Sequence, residues 1–294
     1  MMLTLDRCHE LIDEALASKT RDEFIEAAMP LLREYKILSF GIGRSSTHYR
    51  ARIIENERFD FLKQVDYPPS HLVKRAGRLN DIGDPIFYIS NNQETAIAEV
   101  LPQTGQLVQV SGYRIIPNKM LHVICVGEYQ NVYKRGYTAF NGTDPGGTVK
   151  KLIYDLPYEK RQKRLLIDNF FAHVISDKDA RDNDYVHSRA LRDVLFSKID
   201  AHAITFPSAR DSGGVNIAVK PAPSDDLYMN VCCVIYRIGR KRRFSPFELE
   251  LVGAATGLSD DRKKFIWESG ETHEHLIMYN MTEAEYNNRD SINA

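Results

Sequence analysis

The segment GRLNDIGDPIFYISNNQETAIAEVL, residues 77–101, constrains the fold more than any other part of the sequence. It begins with a turn marked by glycine and asparagine and continues as the short apolar strand PIFYIS. It ends in a helix whose first turn carries Glu94. A complete turn, strand and helix therefore follow one another directly.

The other segments mix strands and helices without regular alternation. The capping-box pattern of Thr20 and Glu23 and the helical spacing of apolar residues predict a helical hairpin over residues 3–37. YEKRQKRLLIDNFFAHVIS and HSRALRDVLFSKI have helical periodicity, whereas THYRARI, AHAITFPS, VNIAVKP and MNVCCVIYRIG are strand-like. QLVQVSGYRI and MLHVICVGEY are two further strands, which we expect to pair with each other. This irregular mixture is typical of an α+β fold rather than a doubly wound sheet.

Composition and charge exclude several classes of protein. The chain has 39 basic and 40 acidic residues and a net charge of -1, so no specific nucleic acid is expected as a partner. The basic run RIGRKRR at 237–243 is interpreted as a solvated turn. The N-terminus does not resemble a signal peptide, no apolar run is long enough to span a membrane, and all four cysteines are expected to be reduced. These features predict a cytoplasmic protein that does not bind membranes.

Familiar cofactor and metal motifs are incomplete. GIGRSS lacks a glycine of the dinucleotide fingerprint, and TDPGGTVKK lacks the ending of a phosphate-binding loop. His273 and His275 have the spacing of two metal ligands on a strand, but no third ligand is indicated. We therefore predict no metal site and no required cofactor.

Glu99, Arg78 and Tyr88 are unusual in the segment 77–101, because a plain strand–helix unit needs none of them. Ala96 and Ile97 mark the buried side of the helix, so the carboxylate of Glu99 is expected at the edge of the core. On spacing alone, a structural interpretation is open: Glu99 pairs with Arg78, and Tyr88 packs as an ordinary aromatic residue of a strand.

Several motifs together resemble the RES domain, a family named for its arginine, glutamate and serine. They occur in the order of the family and cover about residues 46–220: YRAR, GRLN, PIFYIS, ETAIAEV, ITFPS and GGVNIAV. The resemblance implies an ADP-ribosyltransferase-like mixed β core with flanking helices. It divides the chain into an N-terminal helical segment (1–45), a RES-like NAD-binding catalytic domain (46–256) and a C-terminal extension (257–294).

The resemblance also implies the site residues. The catalytic residues would be Glu99, Arg78 and Ser208. The NAD-binding residues would be Arg50, Arg78, Tyr88, Ser208 and, as the weakest match, Asn216. The sequence departs from many members at Asp81, where proline often follows the asparagine, and in the length of the segment between the glutamate and the serine.

RES domains consume NAD by hydrolysis or phosphorolysis, and many are toxins held in check by an antitoxin. The resemblance therefore implies an NAD glycohydrolase or phosphorylase that acts as a toxin or defence effector, with NAD as its substrate and a cognate antitoxin as its partner. Two alternatives remain open: an ADP-ribosyltransferase that modifies a macromolecule, and a silent nucleotide-binding module. For the helical hairpin, a homodimer and packing on its own domain are both open. The region 128–160 lies outside the known motifs, so its role is open.

Overall fold

The computed structural model describes residues 3–44, 46–241, 247–267 and 277–287. The chain forms two compact units, each built from separate stretches of sequence. The first comprises residues 1–42, 68–88 and 121–221, and the second comprises residues 43–67, 89–120 and 222–294. The predicted boundaries after residues 45 and 256 cut the chain differently, and they stay a prediction.

Ten helices are found in the described part of the chain. In chain order they are α1 (Leu5–Ala17), α2 (Arg21–Glu34), α3 (Leu62–Val65), α4 (Gln93–Glu99), α5 (Glu128–Arg135), α6 (Thr148–Tyr154), α7 (Tyr158–Ser176), α8 (Val186–Lys198), α9 (Pro221–Leu227) and α10 (Glu283–Asn287).

The same residues contain ten strands. They are β1 (Leu38–Ile42), β2 (His48–Ile54), β3 (Phe87–Ser90), β4 (Leu107–Ile115), β5 (Leu121–Cys125), β6 (Ala203–Pro207), β7 (Val215–Val219), β8 (Tyr228–Lys241), β9 (Phe247–Leu258) and β10 (Phe265–Trp267).

The first unit contains four strands in the order β1, β5, β6, β7. β5 and β6 are parallel, whereas the two outer pairings are antiparallel. Tyr35 is buried with its ring edge-on to Tyr129 and to Phe171 of α7. Phe24 of α2 is fully buried and stacks on His187 of α8, with 5.0 Å between ring centroids. The buried apolar residues of the helical hairpin thus pack within its own unit, and a homodimer stays a prediction.

The second unit contains an antiparallel sheet in which β2, β4, β8, β9 and β10 follow one another. The end of β3 joins the sheet through the pairing of Ser90 with Tyr49 of β2. One face is covered by α4, where Ile97 packs in a cluster with Ala51, Val108 and other buried residues. The predicted α+β class with mixed strand directions and flanking helices is confirmed.

Most of the predicted elements are present. Thr20 and Glu23 form a capping box at the start of α2, and the segment 77–101 folds as turn, β3 and α4. The helices predicted from residues 158–176 and 187–199 are α7 and α8. All four cysteines are buried and free.

Two interpretations are wrong, and one region contains helices that were not predicted. β4 pairs with β2 and β8, whereas β5 pairs with β1 and β6, so the two strands expected to pair do not. Residues 237–241 of the basic run belong to β8 rather than to a turn, and the rest of the run lies outside the described residues. The region 128–160 contains α5 and α6, which the sequence pattern did not indicate.

No helix in the described part of the chain is long and apolar enough to cross a membrane. No group of three or more histidine, cysteine or acidic side chains within the described ranges has the arrangement of a metal site. His273 and His275 lie outside those ranges.

Candidate active site

Arg78 lies at the tip of a tight turn formed by residues 77–80. The backbone N–H of Gly77 donates to the carbonyl of Asn80 at 3.0 Å, and the two residues form an isolated bridge. A Cβ atom at position 77 would overlap the side-chain amide oxygen of Asn80. Glycine is therefore required here by the close approach of the Asn80 side chain, which gives the GRLN motif a structural reason.

The hydroxyl group of Tyr88 holds this turn in place. It accepts a hydrogen bond from the backbone N–H of Leu79 at 2.9 Å and donates one to Oδ1 of Asn80 at 3.0 Å. Burial raises the pKa of Tyr88, so the phenol stays neutral and keeps the proton that it donates. The side chain as a whole is only half-buried.

The guanidinium group of Arg78 is anchored to the end of α7. Its Nη1 donates to the carbonyls of Ile175 at 2.9 Å and Asp177 at 2.5 Å, and the group lies 5.7 Å from the ring centroid of Tyr185. Carbonyl groups at a helix C-terminus favour a cation. Arg78 thus has a structural role within the first unit, whatever it binds.

Asp81 occupies the position at which many family members have proline, and the structure explains the aspartate by its ion pairs. Its carboxylate forms ion pairs with Arg189 and, at 3.4 Å, with Arg192, both from α8, and it lies 3.5 Å from Nη1 of Arg21 at the start of α2. Burial opposes its ionisation, but the arginines outweigh this effect and lower the pKa of Asp81. Arg192 also donates to the carbonyl of Leu79 at 3.0 Å, so this network fixes the turn that carries Arg78.

Ser208 and Asn216 belong to the β6–β7 hairpin of the first unit. The hydroxyl oxygen of Ser208 accepts hydrogen bonds from the backbone N–H groups of Arg210 and Asp211, both at 3.0 Å. The backbone N–H of Ser208 donates to the carbonyl of Gly214 at 2.8 Å. Asn216 is buried on β7, opposite Phe206 of β6. The hairpin therefore fixes both side chains at one end of β6 and β7.

Arg50 belongs to the second unit, on β2, where its register partner is Ser111 of β4. Its charge acts on Asp66, whose carboxylate accepts a hydrogen bond from Tyr113 at 2.9 Å. Burial raises the pKa of Asp66 to about 6, although the Tyr113 hydroxyl and the Arg50 charge both lower it. Asp66 therefore changes its charge close to neutral pH.

Glu99 is the last residue of α4, at the edge of the core of the second unit. Asn92 caps the start of the helix, since its side chain accepts a hydrogen bond from the backbone N–H of Thr95 at 2.7 Å. Ala96 and Ile97 pack the helix against the sheet. A carboxylate at a helix C-terminus meets the negative end of the helix dipole, so it does not stabilise the helix.

The structure thus places Arg78 and Tyr88 at one turn and Ser208 and Asn216 on one hairpin, while Arg50 and Glu99 lie on β2 and α4. Their catalytic and binding roles stay predictions. Sequence reasoning missed Asp66 and Arg192. Neither belongs to a recognisable motif, and each reaches its partner only through the tertiary fold.

Comparisons with known proteins agree with the motifs. The model of the RES domain family matches residues 49–232. Among solved structures, the chain is similar to a chain in the crystal structure of the M. tuberculosis MbcT–MbcA toxin–antitoxin complex, with 10% identity, coverage of 76% of this chain and 92% of that chain, and a TM-score of 0.31. No curated protein matches the chain. The family match extends over more than half of the 294 residues, and the chain therefore belongs to the RES domain family.

Proposed function

We propose that the protein is an enzyme that cleaves the nicotinamide–ribose bond of NAD. The observation that carries this proposal is the extent of the family match, residues 49–232, which includes all six predicted site residues. An ADP-ribosyltransferase-like core, with NAD as the substrate and no further cofactor, belongs to the same proposal.

The chemistry calls for a carboxylate. When the bond between the ribose C1′ and the pyridinium nitrogen breaks, its electron pair goes to the nitrogen, and neutral nicotinamide leaves an oxocarbenium-like ribose. A carboxylate stabilises this developing cation and accepts a hydrogen bond from a ribose hydroxyl. We assign this role to Glu99. Water or phosphate then attacks C1′, which gives ADP-ribose and a proton or a phosphorylated ADP-ribose.

The other residues are assigned to binding. The guanidinium groups of Arg50 and Arg78 suit the diphosphate or a neighbouring ribose, so a glycine-rich loop is not needed. The half-buried ring of Tyr88 offers a flat face to nicotinamide. The hydroxyl of Ser208, oriented by the two N–H groups that it accepts, contacts a ribose hydroxyl, and Asn216 supports the same group.

The biological role follows from NAD loss. An enzyme that depletes NAD arrests growth, so we propose that the protein acts as a toxin or defence effector. Because many members of the RES domain family are toxins held in check by an antitoxin, we propose a cognate antitoxin as the partner of this protein.

The test is incubation of purified protein with NAD alone, in buffers with and without inorganic phosphate, followed by identification of the products. We expect NAD to disappear and free nicotinamide to form without an added acceptor. ADP-ribose in both buffers would identify a hydrolase, and a phosphorylated product formed only with phosphate would identify a phosphorylase. Binding of NAD by folded protein without turnover in either buffer would contradict the proposal. Turnover that requires a macromolecular acceptor would instead identify an ADP-ribosyltransferase.

A further inference from the structure

A cleft of about 220 Å³ lies wholly within the first unit. Its walls are α5, one side of α7, the end of β6 and the turn that leads into β7. Val126, Phe206 and Val215 give it a buried apolar floor. None of the six predicted NAD-site residues lines this cleft, but two of its lining residues, Pro207 and Val215, are the chain neighbours of Ser208 and Asn216.

Two basic side chains line the cleft and have no ion-pair partner among the described residues. Lys134 and Arg135, at the end of α5, are both exposed and both line it. A Cβ atom at Gly213 would lie 3.8 Å from Nη1 of Arg135, so this guanidinium group is directed at the opposite wall. Gly213 has a φ of +94°, a backbone conformation that favours glycine at this point of the cleft wall.

The acidic residue in the lining does not neutralise these cations. Both carboxylate oxygens of Glu128 accept backbone hydrogen bonds, from Ala139 at 2.8 Å and Phe140 at 2.9 Å, and the side chain is buried. Burial raises the pKa of Glu128 to about 7, so the group is partly neutral at physiological pH. The lining therefore carries an excess of positive charge, although the whole chain has a net charge of -1.

Two amide side chains complete the lining. Gln130 of α5 and Asn169 of α7 both face the cleft, and neither side chain has a hydrogen-bond partner within the described ranges. Amides can donate to an oxyanion and accept from a hydroxyl group. The cleft thus combines an apolar floor, two polar groups and two positive charges, which is the composition of a small-molecule site.

We propose that this cleft binds a small phosphate-bearing molecule, through lining residues that adjoin Ser208 and Asn216 but include none of the predicted NAD-site residues. A phosphate monoester has a charge of about -1.5 to -2 at neutral pH, which matches Lys134 and Arg135 better than a single carboxylate does. Arginine and lysine are also the side chains that proteins use most for phosphate groups. The volume of about 220 Å³ is small for a ligand pocket, so the ligand is of sugar-phosphate rather than dinucleotide size.

The test is calorimetric titration of the full chain with ribose 5-phosphate, and with ribose and malonate as comparators. The double variant Lys134→Gln/Arg135→Gln removes both cations from the cleft. Lys151→Gln/Lys160→Gln is the matched control, because it removes two exposed lysines that do not line the cleft. We expect the first variant to bind ribose 5-phosphate at least about tenfold more weakly, as loss of a charged hydrogen bond predicts, and the control to bind like wild type.

A site-specific readout accompanies the titration. Ribose 5-phosphate should protect Lys134, but not Lys151, from chemical acetylation measured by mass spectrometry. Equal affinity of the two double variants, absence of Lys134 protection, or binding of ribose or malonate as tight as that of ribose 5-phosphate would each overturn the proposal. None of these measurements requires NAD turnover, so the result is independent of the proposed function.

Discussion

Tyr88 shows how a single hydroxyl group can fix the residues next to it. Tyr88→Phe would leave the N–H of Leu79 and the amide oxygen of Asn80 without this partner. We expect a loss of unfolding free energy of about 1 to 3 kcal/mol, since polar groups would lose their hydrogen bonds inside the protein. Urea denaturation measures the change, with Tyr158→Phe as a control because Tyr158 is 70% exposed. A Tyr88→Phe variant as stable as its control would show that the turn does not depend on the hydroxyl.

Arg78 has two roles that one substitution can separate. Arg78→Ala removes the hydrogen bonds to Ile175 and Asp177, so the melting temperature should fall. If Arg78 also binds NAD, the affinity of the folded variant should weaken by about 1.5 to 3 kcal/mol, while turnover of bound NAD changes less. Titration with NAD below the melting temperature measures this effect. Unchanged affinity would leave Arg78 with its structural role alone. Arg50→Ala should then be the variant that binds NAD more weakly.

At the scale of single residues, the sequence could indicate which side chains are candidates for the site, but not which residues contact them. Arg78, Tyr88 and Glu99 were found because they lie in motifs. The partners that hold them, such as Arg192, are far away in sequence, and nothing in a local pattern relates Arg192 to Leu79. Asp81 looked like a departure from the family, whereas the structure explains it by three arginines from two other helices.

At the scale of elements, periodicity predicted strands well but predicted their partners poorly. Alternating apolar residues place β4 and β5 correctly, yet they do not specify which strands these two pair with in the sheet. β5 joins β6 in parallel, and the chain between them contains α5 to α8. A parallel pair requires such a crossover, so neighbours in sequence need not be neighbours in the sheet.

The contact between α5 and α7 buries two carboxyl groups that titrate near neutral pH. Asp168 accepts hydrogen bonds from Gly127 and Gln130 at the start of α5 and from Tyr35, and burial raises its pKa to about 6. Burial likewise raises the pKa of Glu128 from 4.5 to about 7. Both groups bind protons more tightly in the folded than in the unfolded protein. Each therefore adds stability at low pH that is lost as the pH rises through its folded pKa.

Glu128→Gln tests this pH dependence, because glutamine does not titrate. The stability of wild type relative to the variant should decrease by up to about 3 kcal/mol as the pH rises from 4.5 to 8. Chemical denaturation at a series of pH values gives the difference directly. A difference that is constant over this range would show that the pKa of Glu128 is not raised by folding.

The C-terminal residues 277–287 are part of the second unit. Glu285 of α10 forms ion pairs with Arg44 at 2.6 Å and with the buried Arg114 at 2.9 Å. Burial opposes its ionisation, but hydrogen bonds from Arg44 and Thr282 prevail and lower the pKa of Glu285 to about 2. Its contribution to stability is present above pH 4.5 and is lost as the pH falls through about 2.

Glu285→Gln should therefore be strongly destabilising at pH 7. It leaves Arg114 as a buried charge without its carboxylate, for which the expected cost is about 3 to 5 kcal/mol. Thermal denaturation of the variant, compared with Glu283→Gln at an exposed position of the same helix, measures the effect. Similar melting temperatures for the two variants would argue that α10 is not tied to the sheet by Glu285.

At the scale of the whole molecule, the family match and the compact units divide the chain differently. The match to the RES family runs from residue 49 to 232 without interruption, whereas each compact unit is built from separate stretches of the chain. Sequence order could therefore identify the family and the α+β class. It could not show that residues 277–287 return to the second unit, because the ion pairs that hold them join residues far apart in the chain.

The central claim is that Glu99 stabilises a cationic ribose in the transition state of NAD cleavage. Glu99→Gln keeps the size of the side chain and much of its hydrogen bonding but removes the charge. The competing interpretation, a structural ion pair with Arg78, predicts a lower melting temperature and parallel changes in affinity and turnover.

The decisive measurement is the rate of NAD consumption by wild type and Glu99→Gln in one buffer, together with the NAD affinity and melting temperature of each. We predict that turnover falls by roughly two to four powers of ten while affinity and melting temperature change little, since the lost interaction exists mainly in the transition state. A stable Glu99→Gln variant that consumes NAD at the wild-type rate would contradict the account.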